Sequence, residues 1–159
     1  MNSKIEFLGS IIIRELSDKF EPQCFEGKVK YRLDANFKKY VLNSAKTINH
    51  LPEMKFSKYH FTESIYDDEI MESFSISKSS GLMFREEILW TIANLIKQSK
   101  GEVGFLINNG CATIVGYILC SDGLVRAVTV SRSVGISGWD LGCYDLGHWP
   151  AGREMLSRN

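Results

Sequence analysis

The sequence predicts an α+β fold, with N-terminal helices packed on a C-terminal antiparallel β-meander. Three observations predict it. Apolar residues recur at steps of three and four over much of the first hundred positions. From Gly101 onward the chain carries ten of its thirteen glycines and no lysine. In that last third, short alternating apolar runs are separated by turn tripeptides, the pattern of hairpins.

Taken in order, residues 4–20 place Ile5, Leu8, Ile12, Leu16 and Phe20 on one helical stripe, after a possible cap at Ser3 and before Pro22. The Ile11-Ile12-Ile13 triple weakens the helical pattern, since it could also be strand. Residues 28–33 alternate as a half-buried strand does. Asp34 then caps a helix with Phe37, Val41, Ala45 and Ile48 inward, ending before Pro52. Residues 55–61 alternate as a short strand. Residues 62–74 form an acidic helix with Ile65, Ile70 and Phe74 inward, and residues 75–81 a polar loop.

The clearest helix covers residues 83–99. Ile88, Leu89, Ile92, Leu95 and Ile96 form its apolar stripe, with Glu86 and Glu87 early and Lys97 late, as the helix dipole favours. Val103, Phe105 and Ile107 then alternate up to the turn Asn108-Asn109-Gly110. Residues 111–120 make a β-rich run, Ser121-Asp122-Gly123 a second turn, and residues 124–130 a third strand. Residues 139–146 form a fourth. A single domain over 1–159 is expected, since the length is that of one domain and no linker interrupts it.

Nineteen basic and nineteen acidic residues give a formal net charge of zero. That argues against a protein whose partner is nucleic acid or an anionic membrane. No apolar run reaches bilayer length and no signal peptide is visible, so the cytoplasm is the expected location. Cys24, Cys111, Cys120 and Cys143 are widely spaced without a C-x-x-C pair, and read as reduced thiols.

No cofactor motif is present: Gly101, Gly104, Gly110 and Gly116 lack phosphate-loop spacing. The densest polar cluster runs from Trp139 to Trp149. Asp140, Asp145 and His148 could meet at a metal, but strand alternation sends Asp140 and Asp145 to opposite faces, so no metal site is expected. Cys111 with His148 as base, and Asp145 or Asp122 as third member, is the one catalytic constellation the composition permits, for a small hydrolase or transferase. Against it, a free Cys in a strand is usually a buried thiol. Lys28, Lys30, Arg32, Lys38 and Lys39, interleaved with Tyr31, Phe37 and Tyr40, could stack bases and hold phosphates, or form a solvated basic face. Glu63, Asp67, Asp68, Glu69 and Glu72 could dock a basic partner, or form a solvated acidic face.

Trp139-Asp140-Leu141-Gly142-Cys143-Tyr144, then Trp149, Gly152-Arg153 and Ser157-Arg158-Asn159, resembles the C-terminal ends of uncharacterised bacterial proteins carried as mobile cargo, such as integron gene cassettes. The resemblance implies an accessory bacterial protein and transfers no site. The residues themselves favour a non-enzymatic binding or interaction protein, with a protein partner or small ligand and a possible homodimer. Trp139, Tyr144, His148, Trp149, Arg153 and Arg158 are the candidate contacts, because aromatic and Arg side chains are the usual interface anchors.

Overall fold

A computed structural model describes residues 2–28, 30–99, 106, 112–133 and 138–159. Its strands and helices follow in chain order as β1 (Ile5–Ile13), β2 (Tyr31–Leu33), β3 (Met54–Phe61), β4 (Ile65–Tyr66), α1 (Asp67–Ser73), α2 (Arg85–Gln98), β5 (Thr113–Leu119), β6 (Val125–Arg132), β7 (Trp139–Asp145), β8 (His148–Trp149) and β9 (Glu154–Arg158). A 3-10 turn covers Pro22–Phe25 and a π-helical turn Phe37–Leu42. Among the described residues, seven strands form one mixed sheet in the order β1-β3-β9-β5-β6-β7-β2, and β4 pairs with β8 beside it.

This corrects the expected fold class. The N-terminal segment is sheet, not helix, and strands from both ends of the chain share one sheet. β1 runs antiparallel to β3, with a bulge between Phe7 and Gly9. The would-be helical stripe is broken by burial: Ile5 and Ile13 are inside, whereas Leu8 and Ile12 are 47% and 53% exposed. The physical reason lies in the β-branched Ile11-Ile12-Ile13 run, which packs well on a pleated surface and loses rotamer freedom in a helix. β9 is a second departure. It inserts between β3 and β5, antiparallel to the first and parallel to the second, and buries Met155 and Leu156.

Other expectations shrink at their ends. Asp34 does cap, its Oδ1 accepting from the Phe37 amide at 2.6 Å, but the helical turn stops at Leu42. Residues 62–74 yield β4 and then α1, which begins at Asp67. Residues 55–61 are strand, within β3. Of the expected C-terminal strands, the runs at 111–120 and 124–130 appear as the antiparallel β5–β6 hairpin, and the fourth, at 139–146, as β7 antiparallel to β6. The turn after β5 is closed by the Gly123 amide donating to the Cys120 carbonyl at 2.9 Å. The expected strand through Val103, Phe105 and Ile107 and the turn at Asn108-Asn109-Gly110 lie outside the described residues.

The sheet carries a core on each face. α2 and the π-helical turn cover one, where Phe37, Val41, Ile88, Ile92 and Leu95 meet Phe56, Val115, Val128 and Leu141. Gly116 permits that approach: a β-carbon there would stand 2.6 Å from Met83 Sδ and 3.5 Å from Ile88 Cδ1. α1 and the β4–β8 pair cover the other face, where Ile65 and Ile70 meet Phe61, Ile114, Tyr117 and Met155. No helix among the described residues is long and apolar enough to cross a membrane.

Candidate ligand-binding face

The period of two in a strand decides which side chains share a face. In β6 it sends Val128 and Val130 toward α2, and Thr129 and Ser131 to the opposite face. Register then aligns Gly142 with Thr129 and Asp140 with Ser131, while β2 places Arg32 beside Asp140. Tyr144, two residues beyond Gly142, shares that face. Where α1 and the β4–β8 pair end, this part of the sheet opens as a concavity of about 380 Å³, lined by Arg32, Asp34, Thr129, Ser131, Asp140 and Tyr144 among others.

Its polar groups are held in place. Arg32 Nε donates to Asp140 Oδ1 at 2.8 Å and a second guanidinium nitrogen to Oδ2 at 3.4 Å, a two-pronged pair at the sheet edge. Asp34 accepts from the Phe37 amide through Oδ1 and from the Cys143 amide at 3.1 Å through Oδ2. The Tyr144 ring lies across Gly142, where a β-carbon would meet Cε2 at 2.5 Å, and it is 48% exposed. Trp149 stands edge-on to it with centroids 6.2 Å apart. Partial burial, and then the charges of Asp34 and Asp140, push the Tyr144 hydroxyl above its ordinary value, with Arg153 opposing. At neutral pH that hydroxyl therefore carries its proton and can donate.

The residues singled out in the sequence divide into four settings. Trp139 is buried in the α2-side core. Tyr144 lines the concavity, and Trp149, edge-on to its ring, donates its indole N–H to Asp67 Oδ1 at 2.8 Å. His148, exposed, packs on Tyr66 with ring centroids 5.1 Å apart, while half-buried Arg153 reaches Tyr144 electrostatically. Arg158 lies elsewhere, ion-paired with Glu87 of α2.

The catalytic constellation is not assembled by the described residues: Asp145 accepts from Arg126 Nε at 2.7 Å, His148 faces Tyr66, and Cys111 lies outside them. Asp140 and Asp145 each hold an arginine, and among the described residues no three His, Cys, Asp or Glu side chains converge as metal ligands would.

Sequence reasoning missed Thr129 and Ser131 as site residues. Their signal was two hydroxyls at alternate positions, interleaved with Val128 and Val130, in β6. It also read Arg32 as part of a basic stretch, where the fold turns it away from its neighbours Tyr31 and Leu33. Compared with protein-family models, with curated proteins and with solved structures, the chain matches none.

Proposed function

We propose that this protein is a non-enzymatic binding protein whose ligand is a small polyhydroxylated molecule, a sugar being the simplest, held on the open face of β6, β7 and β2. The observation that carries the reading is the half-exposed Tyr144 ring beside a concavity of hydroxyls and a carboxylate–guanidinium pair. An aromatic ring offers a flat apolar surface to the C–H face of a sugar. Ser131 and the Arg32–Asp140 pair offer donors and acceptors in fixed places to its hydroxyls, with Thr129, only 2% exposed, packed into the lining. Both carboxylates are already occupied, Asp34 by two amides and Asp140 by Arg32, which suits recognition better than proton abstraction.

Saturation-transfer NMR over a panel of hexoses and pentoses at about 10 mM, a range suited to weak millimolar binding, tests this. Transfer to at least one sugar, lost in Tyr144→Ala and weakened in Ser131→Ala, supports the reading. No transfer to any member, or transfer indifferent to Tyr144, sinks it.

A second copy of the chain is the partner that suits the opposite edge of the sheet. β1 ends the strand order there, pairing inward with β3 alone among the described residues, and it exposes Phe7, Leu8 and Ile12. Natural edge strands usually carry charge, Pro, bulges or short length to prevent pairing; β1 is nine residues long with Glu6 as its only charged residue, and beyond its bulge between Phe7 and Gly9 the stretch to Ile13 carries no charge or Pro. Antiparallel pairing of β1 with its copy closes a two-fold dimer and ends growth there. Sedimentation equilibrium should find a dimer that Ile12→Lys dissociates. A monomer at every concentration up to the millimolar range would refute it.

A further inference from the structure

We propose a second ligand site, independent of the sugar-binding reading, that takes a flat apolar carboxylate such as an aryl carboxylate. It lies on the other side of β2. After the 3-10 turn Pro22–Phe25 the chain reverses at Gly27, whose φ of +67° suits glycine, and returns along β2. Alternation in β2 turns Tyr31 and Leu33 away from the face that holds Arg32. With Phe25 they floor a concavity of about 370 Å³, and the Phe25 and Tyr31 rings lie 5.1 Å apart.

The rim of this floor is cationic. Lys28 and Lys38 line it, and Lys30 holds its ammonium 5.0 Å from the centroid of the Tyr31 ring. Glu26 is the acidic member of the lining. Among the described residues, the lysines in ion pairs are Lys4, Lys19 and Lys58, not Lys28, Lys30 or Lys38. In a chain of zero net charge, two ammonium groups lining one apolar floor against a single carboxylate, with a third on the Tyr31 ring, are a local excess. Each half of the arrangement selects. The Phe25, Tyr31 and Leu33 floor rewards burial of a ring, which inorganic phosphate lacks. The ammonium rim rewards a negative charge at the ring's edge, which a neutral arene lacks. Single-stranded nucleic acid, the other ligand that combines rings with negative charge, would need the basic track to continue beyond one concavity. Here Lys39 is instead turned onto the Tyr40 ring, 4.8 Å from its centroid.

Calorimetric titration of the full chain with 2-naphthoate and with its neutral counterpart 2-naphthamide tests the site. Naphthoate should bind saturably and the amide about fivefold more weakly, the equivalent of one surface-strength charge contact of about 1 kcal/mol. The Lys28→Gln/Lys38→Gln double variant should erase the difference, and Tyr31→Ala should weaken both ligands. Lys55→Gln and Tyr144→Ala should change neither, which separates this site from the sheet face. Equal affinity for acid and amide, no saturation, or displacement of naphthoate by micromolar oligothymidylate would overturn the proposal. Unchanged urea midpoints for the lysine variants guard against misreading a folding defect as lost binding.

Discussion

The Tyr117 hydroxyl of β5 donates to Oδ1 of Asp67, the first residue of α1, at 2.5 Å, and Asp67 is 1% exposed. The same carboxylate accepts from the Trp149 indole at 2.8 Å and, through Oδ2, from the Gly147 amide at 2.7 Å. One buried anion thus joins α1, the central sheet and the β7–β8 turn, at the N-terminus of a helix where negative charge is favoured. Burial and the adjacent Asp67 charge push the Tyr117 phenol well above its ordinary value, so it stays a donor.

Removing that acceptor should be costly. The buried Tyr117 hydroxyl left unpaired costs about 1–3 kcal/mol, and losing the hydrogen bonds of the half-buried Trp149 indole and the exposed Gly147 amide adds about 1 kcal/mol, so Asp67→Ala should lose about 2–4 kcal/mol in urea melts. Tyr117→Phe removes one donor and should lose about 1.5–3 kcal/mol, the range for a hydrogen bond to a charged group. An Asp67→Ala midpoint within error of the parent would show the tie to be incidental.

Asp67 also marks where the sequence stops being legible. Within Glu63, Asp67, Asp68, Glu69 and Glu72 it reads as one more solvated carboxylate, because its partners Tyr117, Gly147 and Trp149 are remote in the chain. The β5–β6 hairpin was legible, since alternation and the turn glycine Gly123 are local signals. So was the stripe of α2, whose Ile88, Ile92 and Leu95 are all fully buried. β1 was not: Leu8 and Ile12 mimic a helical stripe, and only its pairing with distant β3 decides its form. The candidate face shows the same division. Tyr144 stood out by residue type, whereas Arg32 joins Asp140, Ser131 and Thr129 only through register across three strands.

A cluster at the β5–β6 turn should govern part of the acid limb. Arg126 donates to Asp122 Oδ1 at 2.9 Å and Oδ2 at 2.7 Å, and its guanidinium lies 4.0 Å from the Tyr40 ring centroid. These hydrogen bonds hold the Asp122 carboxyl well below the usual carboxylate range. A pKa lowered on folding stabilises the native state above the unfolded value of about 3.9 and is lost as pH falls below it. Asp122→Asn should therefore be less stable than the parent at pH 7, and the gap should narrow below about pH 4. A gap that stays constant down to pH 2.5 would show that Asp122 does not titrate with folding.

The thiols should differ sharply in reactivity. Cys24 is exposed, while Cys120 and Cys143 are buried. Burial, with Cys120 and Asp34 adding to it, pushes the Cys143 thiol up to about 12, so almost no thiolate exists at pH 8. In a Cys111→Ser background, Ellman's reagent should label Cys24 in the native protein, and Cys120 and Cys143 only after urea is added. Rapid native labelling of all three would show that the β5–β7 end opens readily.

Gly142 offers the sharpest test of the ligand-binding face, because it acts on Tyr144 without touching it chemically. A β-carbon at 142 would stand 2.5 Å from Tyr144 Cε2 and 2.8 Å from its hydroxyl, so Gly142→Ala must displace the ring. What moves is the end of a half-exposed side chain, not backbone, and alanine in a strand recovers about 0.5–1 kcal/mol relative to glycine. The net change in stability should therefore stay within about 1 kcal/mol. Sugar binding should nonetheless fall as far as in Tyr144→Ala, since the platform has swung away from Thr129 and Ser131. A loss of several kcal/mol would mean that the ring is pinned as a structural element. Unaltered binding with the ring displaced would remove Tyr144 from the site and, with it, the observation on which the sugar reading stands.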